Sequence, residues 1–149
     1  MKLCTMSGLL YLMKTKSQEV TDQFEVETGF SLTRYELMMY VINKPQVSQQ
    51  MIQTNLKIDR AAVTRHLKQL EENGYVIRLR NPDNNREVLV EATKKAVNEL
   101  SACESQLANI LSEAFLNLTS EELDQLQKLL NKLTLHLPKE RGKINEPKK

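Results

Sequence analysis

A mainly α fold carrying one small β-hairpin is what this sequence predicts, and three observations predict it. Apolar residues recur at three- and four-residue spacings along most of the chain. The period becomes strand-like between Tyr75 and Ala92, and residues suited to helix caps stand at the boundaries. With 149 residues, 40% of them hydrophobic, the chain is long enough to bury one core. Only four Gly and four Pro are present, too few for a disordered or low-complexity chain.

The first helix runs through Leu3, Met6, Leu10, Met13, Val20 and Phe24, is broken only at Ser17, and stops near Gly29. Thr33 and Glu36, in TRYE, read as a capping box that starts a second helix lasting to about Asn43, with Pro45 ending it. Ser48 caps a short third helix, QQMIQTNL. Asp59 caps a fourth, RAAVTRHLKQLEEN, closed by Gly74 just after its last helical residue. The runs YVIRLR and REVLVEA then flank the turn-forming stretch RNPDNNR, residues 80–86, which is a hairpin pattern.

Thr93 restarts helix. From Lys94 to about Asn117, Val97, Leu100, Cys103, Leu107, Ile110 and Ala114 share one face. Thr119 and Glu122 form another capping box, followed by a stripe of Leu123, Leu126, Leu130, Leu133 and Leu137. After Pro138 the charged tail has little to bury and is expected to fray.

This order places a unit of the winged helix-turn-helix type at 33–92. Helices at 1–29 and 94–137 flank it, and a flexible tail occupies 138–149. Each flanking helix carries an apolar stripe that a small winged unit cannot cover. These stripes need one another or a second copy of the chain, and a homodimer built on a terminal-helix dimerisation domain is the economical expectation.

Charge distribution points to a polyanionic partner. The net charge of the whole chain is only +2. Between Arg60 and Arg86, however, six Lys or Arg stand against three Asp or Glu, whereas 94–137 holds four against six. On the fourth helix Val63, Leu67 and Leu70 share the core side. Ala61, Arg65 and Lys68 point away from it, with Thr64 on the flank and Arg60 in the first turn. No acid occurs from Arg60 to Gln69. Such a face offers close backbone approach, a hydroxyl, phosphate neutralisation and an arginine able to bond a guanine edge. Double-stranded DNA is the expected partner. A solvated helix face and a solvated turn are the plainer alternatives.

Other classes fit poorly. The N-terminal MKLCTMSGLLYLMK is interrupted by Thr5 and Ser7 and has no small-residue cleavage site, so it does not read as a signal peptide. No run approaches a membrane span, and the expected setting is the cytoplasm. Cys4 and Cys103 then read as free thiols. His66 and His136 are the only histidines, too few for a metal site, and no Gly-rich phosphate loop is present. No cofactor and no enzymatic role are expected.

The run DRAAVTRHLKQLEENGYVIRLRNPDNNREVLVEATKKA resembles the core of the MarR family of bacterial transcription regulators. The resemblance rests on Thr64-Arg65, Leu70-Glu71, Gly74, Arg78, Arg86 and Thr93, covers roughly residues 30 to 100, and extends to the flanking helices as a dimerisation architecture. It implies a dimeric, sequence-specific regulator, a repressor more often than an activator, binding pseudo-palindromic operators and released by a small-molecule effector. A winged module that binds protein instead of DNA is the alternative. The DNA-binding residues so implied are Arg60, Ala61, Thr64, Arg65, Lys68, Arg78, Arg80, Asn84, Asn85 and Arg86, with Arg86 entering a minor groove from the wing tip. Asn84 stands where the family usually has an Asp that orients this arginine, and Lys57 stands where Gly is common. Some relatives sense oxidants through a cysteine near the start of the first helix, but Cys4 lies about a turn too early. Others bind small amphipathic acids or phenols where the winged unit meets the dimerisation helices. Tyr11, Tyr35 and Met39 are the candidates for such a pocket, with ordinary core positions as their alternative reading.

Overall fold

In residues 3–133, which this computed structural model describes, six helices and three strands follow the expected order with one short strand added. They are α1 (Leu3–Thr28), α2 (Leu32–Ile42), β1 (Val47–Ser48), α3 (Gln49–Leu56), α4 (Arg60–Glu72), β2 (Val76–Asn81), β3 (Asn84–Ala92), α5 (Lys94–Ala114) and α6 (Ser120–Lys132). The stripe's last residue Leu137, His136 and the tail 138–149 lie outside the described residues. The chain divides into two compact units between Ala114 and Phe115.

Caps set the frame around the winged region. Gly29, at φ +74, ends α1, and its N–H reaches the Glu25 carbonyl at 2.9 Å. The second helix departs from expectation, because its cap is Ser31 and not Thr33. The Ser31 hydroxyl accepts from the Arg34 N–H. The Thr28 hydroxyl closes the preceding turn, accepting from the Phe30 N–H at 3.2 Å while the Phe30 ring is buried. That leaves Ser31 extended, two residues before Thr33, and Glu36 makes no box. Ser48 caps α3 through the Met51 N–H, and Asp59 caps α4 through the Ala62 N–H at 2.8 Å. Thr119 and Glu122 form the expected capping box of α6, with both reciprocal bonds made.

The core is shared by α1, α2, α3, α4, the sheet and the first half of α5. Phe24, Phe30, Tyr35, Leu37, Met38, Ile52, Val63, Leu67, Leu70, Val76, Val90 and Leu100 are buried together. Val63, Leu67 and Leu70 therefore face inward as their spacing requires. On α5 the inward residues are Ala96, Leu100, Cys103 and Leu107, while Val97 is 42% exposed. The sheet is antiparallel, in the order β1-β3-β2, with Val47 opposite Val90 and Arg78 opposite Val90 on its other side. The two-residue β1 carries no readable period, which is why sequence patterning misses it.

Lys57, the residue after α3, adopts a left-handed conformation at φ +53 and ψ 38. A side chain there costs on the order of 1 kcal/mol that glycine avoids. Lys57→Gly is expected to raise the melting temperature by about 3 °C, a stabilisation of about 1 kcal/mol. An unchanged or lowered midpoint in a thermal melt would contradict the strain.

Candidate nucleic-acid interface

α4 presents its outward face as the spacing predicts. Arg60, Ala61, Thr64, Arg65 and Lys68 are all exposed, while Ala62 and Val63 are buried beneath them. The helix is held at both ends. Asp59 caps its start, and Gly74, at φ +75, closes its end: the Gly74 N–H bonds the Glu71 carbonyl at 3.0 Å and the Tyr75 N–H bonds Leu70 at 2.8 Å. The Thr64 hydroxyl donates back to the Arg60 carbonyl, so its lone pairs are what it offers outward.

The hairpin is tighter than RNPDNNR suggests. Only Pro82 and Asp83 form the turn, and Asn81 pairs with Asn84 across it. Arg80 pairs with Val88, so Asn85, Arg86 and Glu87 are extra residues on β3 and form a bulge. A bulge re-aims side chains, and here it lies at Arg86. The Asn84 side chain accepts from the backbone N–H of Arg86 at 3.2 Å. The Asn81 side chain spans the hairpin to Glu87 at 2.6 Å. Asn84 thus shapes the bulge through the Arg86 backbone.

Between α3, the start of α4 and the wing (β2, β3 and their turn) lies a cleft of about 520 Å³. Arg60, Thr64, Asn84 and Arg86 of the predicted set line it together. Gln49, Gln50, Gln53 and Glu87 line it too, although sequence reasoning did not single them out. Three glutamines on one short helix just ahead of a cationic helix were the available signal, since a Gln amide can bond an adenine edge.

The cations are not equivalent. Arg78 is engaged by Glu71: its guanidinium makes two bonds to the carboxylate, with Nε at 2.8 Å, and both side chains are partly buried. That bond holds the Glu71 carboxyl below its ordinary range. Lys68 stands 4.0 Å from Glu72 with both side chains well exposed, a contact worth little in water. Among the described residues Arg60, Arg65, Arg80 and Arg86 have no acidic partner within 4.0 Å.

His66, on the inner flank of α4, is half-buried, and its Nδ1 is buried with no hydrogen-bond partner among the described residues. Burial lowers its pKa below 6.5, and the nearby positive charges of Arg65 and Arg34 lower it further. The unfolded chain therefore takes up this proton first. Stability should fall as pH drops from about 6.5 through the folded-state value, and be fully restored above the unfolded pKa. An NMR titration placing the His66 imidazole above 6.5 would contradict this.

Of the three pocket candidates, Tyr35 and Met39 lie one turn apart on α2, while Tyr11 is remote from both. Tyr35 is closed into the core with its ring edge-on to Phe24 at 5.3 Å. Tyr11 is 67% exposed on α1, and Phe24 lies about 20 Å farther along that helix at 1.5 Å per residue. Met39 is half-buried against the core. Tyr35 and Met39 thus both lie at the core, four residues apart on α2, and Tyr11 stands apart. Cys4 is exposed, and Cys103 is half-buried against the core. Among the described residues no helix is long and apolar enough to cross a membrane.

Comparison with known proteins bears on the family and the fold. A profile of the MarR family matches residues 30–88, the stretch from the end of α1 into β3. The HTH-type transcriptional regulator YdgJ of Bacillus subtilis is 33% identical over 129 residues, covering 84% of this chain and 79% of the relative. Among solved structures, a mutant MarR from E. coli complexed with operator DNA superposes with a TM-score of 0.79 at 23% identity, covering 89% of this chain and 98% of that one. A MarR family transcriptional regulator from Streptomyces coelicolor in complex with DNA gives 0.77 at 18% identity, covering 86% and 82%.

Proposed function

The chain belongs to the MarR family of transcriptional regulators, and from that premise we propose that it binds double-stranded operator DNA as a homodimer in the cytoplasm. α4 lies in the major groove and the wing follows the backbone into the adjacent minor groove. The observation that carries this reading is the cleft in which Arg60, Thr64 and Arg86 converge from two elements. A sugar-phosphate strand passing between helix and wing meets cations on both sides. Arg65 reads a base edge, Arg60, Lys68 and Arg80 neutralise phosphate, and Ala61 and Thr64 allow close approach. Asn84 and Asn85 set the wing tip that Arg86 extends. Arg78, bound to Glu71, acts by bracing the wing against α4 rather than by direct contact.

Dimerisation is supported by unburied apolar residues on the terminal helices. Met6, Leu9, Leu10 and Leu12 on α1, Leu111 on α5, and Leu126, Leu129 and Leu130 on α6 are all 40% exposed or more. A second copy is the economical cover, and the reading casts the protein as a repressor that a small-molecule effector releases. It requires no enzymatic step and no cofactor. Selection of bound sequences from random duplex DNA, with sedimentation of the free protein, tests the reading. The expected outcome is a dimer that enriches a pseudo-palindrome with half-sites about 10 bp apart. A monomer, or a protein that enriches no sequence, would overturn it.

A further inference from the structure

The C-terminal end of α4 is fastened to α5 by more bonds than its cap requires. The last turn leaves carbonyls that the helix cannot satisfy itself. Beyond the Gly74 closure, the Lys95 ammonium donates to the Asn73 carbonyl at 2.8 Å and the Thr93 hydroxyl to the Gly74 carbonyl at 2.7 Å. The Thr93 N–H bonds the Tyr75 carbonyl at 3.0 Å. Tyr75 then returns the connection, its hydroxyl donating to Glu99 one turn farther along α5 at 2.6 Å. Its ring is covered by Lys95 at 4.7 Å and meets Phe30 edge-on at 5.4 Å.

We propose that Tyr75, Glu99 and Lys95 are positioning residues that lock α4 to α5 as one body and so set the half-site spacing a dimer accepts. This rests on the reading above that α4 enters DNA within a dimer. Lever arithmetic gives the joint its leverage. The thirteen residues of α4 span about 20 Å. A rotation of about 10° at Tyr75 moves the far tip by about 3.4 Å, the rise of one base pair. Holding spacing to a single base pair therefore needs a joint stiffer than one side-chain contact. The bond to Glu99, aided by burial, pushes the Tyr75 phenol up to about 12, so the hydroxyl keeps its proton wherever DNA is bound.

The test measures binding of the full chain to duplexes carrying the selected half-sites at 9, 10 and 11 bp, and to a single half-site, at matched salt. Wild type and Glu99→Gln, which keeps an oxygen to accept from Tyr75, should lose about tenfold when the spacing is off by one base pair. Tyr75→Phe, whose ring still packs on Phe30, and Glu99→Ala should lose less than about threefold across the series while keeping single half-site affinity. Undiminished spacing discrimination in Tyr75→Phe and Glu99→Ala would overturn the proposal. So would a wild type indifferent to spacing, a parallel loss of single half-site affinity, or Glu99→Gln behaving as Glu99→Ala. A wild type that binds no duplex selectively is a separate result, seen before any variant is made, and overturns the DNA reading along with this one.

Discussion

Raising salt from 50 to 200 mM is expected to weaken operator binding on the order of 10³-fold. The expectation follows from which cations are free. Arg78 is occupied by Glu71, but Arg60, Arg65 and Lys68 on α4 and Arg80 and Arg86 on the wing are exposed. In the proposed dimer the two copies together supply ten such cations. If about six of them displace counterions from phosphates, the logarithm of affinity falls with a slope near −5 against the logarithm of salt concentration. A protein whose net charge is only +2 gains such a slope from local arrangement and not from bulk charge. Fluorescence anisotropy across a salt series reads it directly, and a slope near zero would mean these side chains merely keep the surface hydrated.

Arg65→Ala is expected to cost about 1–3 kcal/mol in operator affinity and to relax preference at one base position per half-site. Arg65 stands on the outward face of α4, free of acidic partners among the described residues, while Leu67 and Val63 anchor the opposite face. Its removal leaves the core intact, so the loss should appear in binding and not in melting temperature. Arg86→Ala provides the contrast. Its side chain leaves the bulge at the wing, and its loss should weaken binding while leaving major-groove preference in place. Any change in selectivity should follow A·T content and groove width. Repeating the sequence selection with each variant distinguishes them. Identical enrichment patterns from both variants would show that the helix and the wing do not divide the work in this way.

α4 was legible in the sequence because local chemistry decides it. Asp59 and Gly74 mark its ends, and the absence of acids through Gln69 marks its outer face. What was not legible depends on residues far apart in the chain. Charge alone does not reveal that Arg78 finds Glu71, seven residues earlier on another element. The cap at Ser31 is decided by the Thr28 hydroxyl and the buried Phe30, whereas Thr33 with Glu36 offered a pattern the backbone does not use. β1 exists because Val47 and Ser48 meet Val90 and Leu89, and two residues cannot announce a strand. Gln49, Gln50 and Gln53 become part of the cleft only once α3 is packed beside α4 and the wing. The bond from Tyr75 to Glu99 likewise joins residues that no local pattern pairs.

The most direct measurement compares affinity for the selected operator with that for a scrambled duplex of equal length and composition, at one salt concentration near physiological. Sequence-specific reading by α4 and the wing predicts a preference of about 10³-fold or more for the operator. Equal affinity for the two duplexes would contradict it.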